Sequence, residues 1–204
     1  MKFIITVLLP TLLLSITSIS AHAGQQPVVL FETSAGNFEV SLNPEKSPVT
    51  VKNFLALVDQ QHYNGTIFHR VIKSFMIQGG GLNASMEKIG GVTPIKNEAD
   101  NGLKNLKGTI AMARTGEPHS ATDQFFINTK DNFNLDHSGK NTRGWGYAVF
   151  GKVTSGMDVV MKIESSATTT KAGRRDVPVK TIEILKIKRI KAESPAGKKD
   201  KQAE

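Results

Sequence analysis

The chain has 204 residues, 39% of them hydrophobic and 22% charged, a composition that suits one folded domain with a real core. It contains no cysteine, which excludes a disulfide framework and a lipid anchor on an N-terminal cysteine. The formal charge is +8, and the excess is concentrated in a strip from Lys171 to Lys191.

The strip carries Lys171, Arg174, Arg175, Lys180, Lys186, Lys188, Arg189 and Lys191 against Asp176 and Glu183. Such a run can meet nucleic acid or an anionic surface. No RNA-binding motif or aromatic interleaving accompanies it, so it reads as the solvated face of a last strand and its approach loop, with no nucleic-acid partner.

At the start, Lys2 gives a minimal positive region and Phe3 to Leu14 is apolar apart from Thr6, Pro10 and Thr11. Ala21-His22-Ala23 then has the form of a cleavage site, so residues 1–23 read as a secretory signal peptide. The apolar run is short for a bilayer span of roughly 20 residues, and stable membrane insertion is not expected.

Val28 to Thr33 and Asn37 to Leu42 are strand-like around the turn Ser34-Ala35-Gly36, which predicts a hairpin. The period then changes: Ser47 suits a cap, Pro48 a first helical position, and Val51, Phe54, Leu55 and Val58 form one apolar stripe. This helix is expected to end near Gln61. Strands return at Thr66 to Val71 and Phe75 to Gln78, before a glycine-rich passage from Gly79 to Asn105 that reads mostly as loop. Further strands are expected at Gly108 to Ala113, Gln124 to Thr129 and Tyr147 to Val153, and a short helix on Met157, Val160 and Met161. Thr181 to Lys191 is the last strand, and its apolar phase slips between Ile184 and Ile187, which predicts a bulge or twist. The polar residues 193–204 read as a disordered tail, leaving one domain over 24–192. About eight strands and two helices with many turns predict a mainly β protein built as a closed barrel.

The period-2 rule sorts faces within the strands. Met76 and Gln78 share a side opposite Ile77, and Gln124 and Phe126 share a side opposite Phe125 and Ile127. If Phe125 and Ile127 fill the barrel, Met76 and Phe126 lie on the outer wall beside two amides, the make-up of a ligand site. Phe75 is out of phase with Met76, so it is either core or set at a bend in the strand.

The stretch Phe68-His69-Arg70-Val71-Ile72-Lys73-Ser74-Phe75-Met76-Ile77-Gln78-Gly79-Gly80, answered by Ser120-Ala121-Thr122-Asp123-Gln124-Phe125-Phe126-Ile127-Asn128, resembles the cyclophilin family of peptidyl-prolyl cis/trans isomerases. The resemblance runs from about Val28 to Ile190. It implies an eight-stranded antiparallel β-barrel capped by two α-helices, and proline-containing polypeptides as partners. It implies Arg70 as the catalytic arginine, with Phe75, Met76, Phe126 and Leu135 as the proline pocket and Gln78 supporting the arginine and touching substrate. Ala113, Arg114 and Gln124 match groove positions for the residues preceding proline, and Tyr147 stands where many eukaryotic relatives have histidine. Arg114 stands where many members have asparagine. The family's tryptophan before the Leu-Asp pair is absent: Asn134 precedes Leu135-Asp136, which implies weak cyclosporin binding. The sole tryptophan, Trp145, lies in a run that resembles bacterial members; with the leader this points to the periplasm, or to secretion beyond it.

No metal or cofactor is expected. His62, His69, His119 and His137 show no ligand spacing, and Gly79-Gly80-Gly81 is neither a Rossmann nor a P-loop pattern. Ser120 lies outside a nucleophile elbow, and His69, beside Arg70, reads as structural on the opposite face. Other readings are a non-catalytic proline-binding module, a barrel holding an apolar ligand, and an envelope protein using its basic strip. Nothing in the sequence demands more than a monomer.

Overall fold

The computed structural model describes residues 26–191. The leader over 1–23 and the tail over 193–204 lie outside the described residues. Among the described residues, no helix is long and apolar enough to cross a membrane.

The elements are β1 (Val28–Thr33), β2 (Gly36–Leu42), α1 (Pro48–Asp59), β3 (Thr66–Ile72), β4 (Met76–Asn83), β5 (Thr109–Met112), β6 (Phe125–Asn128), β7 (Val149–Ser155), α2 (Met157–Glu164), β8 (Thr168–Lys171), β9 (Arg174–Pro178) and β10 (Glu183–Ile190). Eight strands close into an antiparallel barrel in the order β1-β10-β3-β4-β6-β5-β7-β2, while β8 and β9 form a separate hairpin. Closure leaves the barrel without an edge strand.

Alternation fills the interior. Phe31 of β1 pairs with Phe38 of β2, their rings stacked 4.5 Å apart. Phe125 packs edge-on against Phe31, Phe54 and Tyr63 at 5.5, 6.0 and 5.6 Å, so one inward ring of β6 joins strands and helix into a single core. An interior filled in this way is a packed core, which removes the reading of a barrel that carries an apolar ligand inside.

Several details differ from expectation. Ser47 occupies the N-cap of α1, but its hydroxyl donates to the Val149 carbonyl at 2.7 Å instead of capping the helix. The Glu98 carboxylate caps it, accepting the Val49 and Thr50 N–H groups at 3.0 and 2.8 Å. Ser47 is fully buried between helix and barrel, where its nearest acceptor is a strand carbonyl. On α2 the buried residues are Val160, Ile163 and Glu164, and Met157 and Met161 are only partly covered.

The glycine-rich passage is not loop throughout. β4 continues through Gly79, Gly80 and Gly81 to Asn83. A Cβ on Gly80, whose φ is +91°, would come within 2.7 Å of the Phe125 ring, and one on Gly81 within 2.3 Å of Gln124 Cγ. Glycine lets the strand pass close beneath these side chains.

The expected slip in the last strand is a bulge at Leu185: Lys186 faces Glu32 and Ile184 faces Thr33, leaving the half-exposed Leu185 as the extra residue. The approach to that strand is the β8–β9 hairpin rather than a loop. Its turn residues Ala172 and Gly173 have φ of +49° and +72°, the signs a type I′ turn needs at both central positions. Alanine at the first of these is the unusual choice, and it hides the turn from a sequence reading.

Candidate functional site

The cleft is built on the outer wall of the barrel, from one lateral row of paired residues. Arg70 of β3 faces Gln78 of β4, Gln78 faces Phe126 of β6, and Phe126 faces Ala111 of β5. Residues directly opposite across antiparallel strands share a face, so pairing alone lays a cation, an amide and a ring side by side. Met76, Ala111, Phe126 and Val149 form an apolar cluster distinct from the barrel core, with Phe75, Ala113, Leu135 and Tyr147 packed against it. The sheet is thus apolar on both faces at this point.

All ten residues singled out from the sequence line one cleft of about 270 Å³: Arg70, Phe75, Met76, Gln78, Ala113, Arg114, Gln124, Phe126, Leu135 and Tyr147. Met76 and Phe126 are almost fully buried and form its floor. The Tyr147 ring stands edge-on to Phe126 at 5.6 Å.

The alternative left open for Phe75 is resolved by a bend. Ser74 has a φ of +53° and the Phe75 N–H donates to Ile72 O at 3.2 Å, so the chain turns sharply just before β4. Glu164, at the end of α2, accepts the Ser74 N–H at 2.6 Å. The Phe75 carbonyl in turn accepts from the Thr129 N–H at 3.1 Å and the Asn132 amide at 2.8 Å. Buried polar groups on both sides of Phe75 therefore fix the bend that turns its ring to the cleft.

A chain of amides leads to the arginine. Gln124 Oε1 accepts from Gln78 Nε2 at 3.0 Å, and Gln78 Oε1 accepts from an Arg70 terminal nitrogen at 3.5 Å. The Asp176 carboxylate, on β9, stands 3.8 Å from Arg70 Nε. Arg70 remains 44% exposed, so its guanidinium is steered at two points and still faces the cleft. Arg114 forms a wall: it donates to the carbonyls of Gly146, Thr115 and Gly116 at 2.9, 2.9 and 3.1 Å and lies over the Tyr147 ring at 4.8 Å.

Three lining residues were not singled out: His69, Arg174 and Arg175. His69 was expected on the face opposite Arg70. The β3–β4 register instead shifts at this point, with Phe68 facing Gly79 and Arg70 facing Gln78, so His69 is the extra residue of a bulge. The bulge sends Phe68 into the core and Arg70 outward although they are two apart, and it brings His69 to the cleft. His69 is 5% exposed. Burial, helped by the charges of Arg174 and Arg70 and opposed by a backbone hydrogen bond with Ile67 and by Asp123, lowers its pKa to about 4. It is neutral at neutral pH, and its buried Nδ1 has no protein partner. The two arginines come from the β8–β9 hairpin; both are exposed, as the solvated reading of the basic strip expects, but their segment is a pair of strands rather than an approach loop. Among the described residues, no group of three or more acidic, histidine or cysteine side chains converges as a metal site requires.

The profile of the family described as cyclophilin type peptidyl-prolyl cis-trans isomerase/CLD matches residues 28–189. Peptidyl-prolyl cis-trans isomerase cyp18 of Streptomyces antibioticus is 55% identical over 160 residues, covering 78% of this chain and 96% of that protein. Peptidyl-prolyl cis-trans isomerase B of Escherichia coli (strain K12) is 52% identical over 160 residues, covering 78% and 98%. The crystal structure of a Cryptosporidium parvum cyclophilin type peptidyl-prolyl cis-trans isomerase superposes with a TM-score of 0.68 at 27% identity, covering 82% of this chain and 99% of that one. A second structure of that protein, in the presence of the dipeptide Ala-Pro, gives 0.64 at 28% identity over 78% and 96%.

Proposed function

This chain belongs to the cyclophilin-type peptidyl-prolyl cis-trans isomerase family, and on that premise we propose that its outer cleft turns X-Pro peptide bonds with the assistance of Arg70. The protein is a peptidyl-prolyl cis-trans isomerase that acts on proline-containing peptides.

The reaction breaks no bond, so it needs neither nucleophile nor metal. Its barrier, about 18–20 kcal/mol, is the amide resonance lost as the bond twists. A pocket that holds the prolyl ring while the other side rotates supplies orientation, and the apolar floor of Met76 and Phe126 suits that ring. As the bond twists, the prolyl nitrogen lone pair localises and becomes an acceptor. A guanidinium donating to it binds the twisted state more tightly than the planar one, which is the condition for catalysis. Removing about 7 kcal/mol in this way would give roughly a 10⁵-fold acceleration.

The observation that carries this reading is the lateral row: Arg70 stands two strand positions from Phe126, with Gln78 between them holding the guanidinium. Two-dimensional NMR exchange on a short Ala-Pro peptide tests it, with the wild type and Arg70→Ala side by side. Fast exchange that collapses in the variant is expected. An Arg70→Ala protein that retains full exchange would remove arginine assistance. Binding without turnover in the wild type would put a proline-binding module in its place.

We further propose that the protein serves the folding of exported proteins in the periplasm, or outside the cell. The support is the sequence of its first residues: Lys2, the apolar run to Leu14, and Ala21-His22-Ala23. Fractionation of cells expressing the full chain tests this. A cytoplasmic protein that keeps residues 1–23 would refute it.

A further inference from the structure

The cleft has one property that the turning of a bare Ala-Pro unit does not use. Its lining includes four arginines, Arg70, Arg114, Arg174 and Arg175, and no carboxylate. His69, the remaining titratable group in that wall apart from Tyr147, is neutral at neutral pH.

The four cations are not equally committed. Arg114 is turned onto backbone carbonyls and the Tyr147 ring. Arg70 is steered by Gln78 and Asp176. Arg174 and Arg175 are exposed, and among the described residues neither takes part in a salt bridge or side-chain hydrogen bond. They belong to a hairpin that packs on β3. That hairpin is fixed by backbone pairing and by a turn with both central residues in the left-handed region. Two uncommitted guanidinium groups on a built arm, beside a cleft whose one neighbouring carboxylate, Asp176, is engaged with Arg70, have the donor chemistry to receive a carboxylate.

Their position selects a side. Across the wall the order is β3, β4, β6, β5. The hairpin flanks the β3 side, while Ala113 and Arg114 follow β5 on the other side of the proline floor. The family resemblance implies that the residues preceding proline lie along Ala113, Arg114 and Gln124, none of which belongs to the hairpin, and on that reading the chain leaving the proline passes the hairpin.

We propose that Arg174 and Arg175 are specificity-determining residues that favour substrates with an acidic residue immediately following the proline. The inference rests on the isomerase reading of the cleft. Asp176, next in the chain, contributes the carboxylate beside Arg70, so one short arm both steers that arginine and reads the substrate.

The test compares exchange catalysis on Ala-Pro-Glu-Ala and on its uncharged isostere Ala-Pro-Gln-Ala at low ionic strength, with the wild type and with Arg174→Gln/Arg175→Gln. The readout is the ratio of kcat/KM for the two peptides, which cancels any common loss of activity. The expected ratio is about fivefold for the wild type, falling towards one in the double variant and in high salt. Two results would overturn the proposal: a wild-type ratio near one with the Gln peptide still turned over, or a ratio that survives the double substitution. Those results leave the isomerase reading standing. Absence of exchange with both peptides would remove that reading and this proposal together.

Discussion

His69 couples the stability of this domain to pH, and the size of the effect follows from its burial. In an unfolded chain its imidazole takes up a proton near the ordinary value of 6.5; in the fold it does so only near about 4. Between those values the unfolded state binds more protons than the native state, so falling pH favours unfolding. The loss begins below about pH 6.5 and is complete near about pH 4. Going from about pH 7 to about pH 4.5, it amounts to about 2.5 kcal/mol. The assay is urea unfolding at both pH values for the wild type and His69→Gln, which keeps a polar side chain without the titration. Carboxylates elsewhere contribute equally to both proteins, so the difference of the two pH effects isolates His69. The variant is expected to lose about 2.5 kcal/mol less than the wild type on acidification. Equal losses in the two proteins would show that His69 takes up its proton in the fold much as in the unfolded chain, and would refute the reasoning.

Three further outcomes follow from the contacts around the cleft. Glu164→Ala removes the acceptor of the Ser74 N–H, so it should cost about 1–3 kcal/mol of stability and raise KM several-fold as Phe75 loses its fixed bend; an unchanged KM would show that the bend holds itself. Gly81→Ala would place a Cβ 2.3 Å from Gln124 Cγ and push that amide off Gln78, lowering kcat/KM by roughly tenfold. Adding Gln124→Ala should relieve the clash and restore stability without restoring activity, and full activity in Gly81→Ala alone would show that the amide chain does not support Arg70. For cyclosporin, the resemblance implies weak inhibition with Asn134 at the exposed tip beside Leu135, and Asn134→Trp should tighten it at least roughly tenfold in an inhibition titration; tight inhibition of the wild type would count against the assignment.

Where periodicity governs, the sequence was a good guide. Phe125 inward and Phe126 outward could be read from alternation once one of them was assigned to the barrel, and Met76 with Gln78 followed by the same rule. Phe75 needed a bend that alternation only hints at, and the left-handed Ser74 supplies it. His69 was misplaced because a bulge breaks the period at that residue, and no local residue type announces it. The arginines of the hairpin were missed for a different reason. Their charge is plain, but their turn is Ala172-Gly173 rather than Asn-Gly, so the segment reads as an approach loop instead of a hairpin packed on β3 at the side of the cleft. The cap of α1 by Glu98 joins residues far apart in the chain, and no local pattern encodes such a contact.

The wall between the barrel core and the cleft is a single sheet, and neighbouring residues such as Phe125 and Phe126 serve opposite sides of it. Their side chains belong to different apolar clusters that share no member. Changes to well-separated members of the two sets should therefore combine nearly additively, those in the barrel acting mainly on how firmly the domain folds and those in the cleft also on which peptides it accepts. Descendants of such a chain can drift in recognition without renegotiating their interior, because the two tasks are written on alternate letters of the same strand.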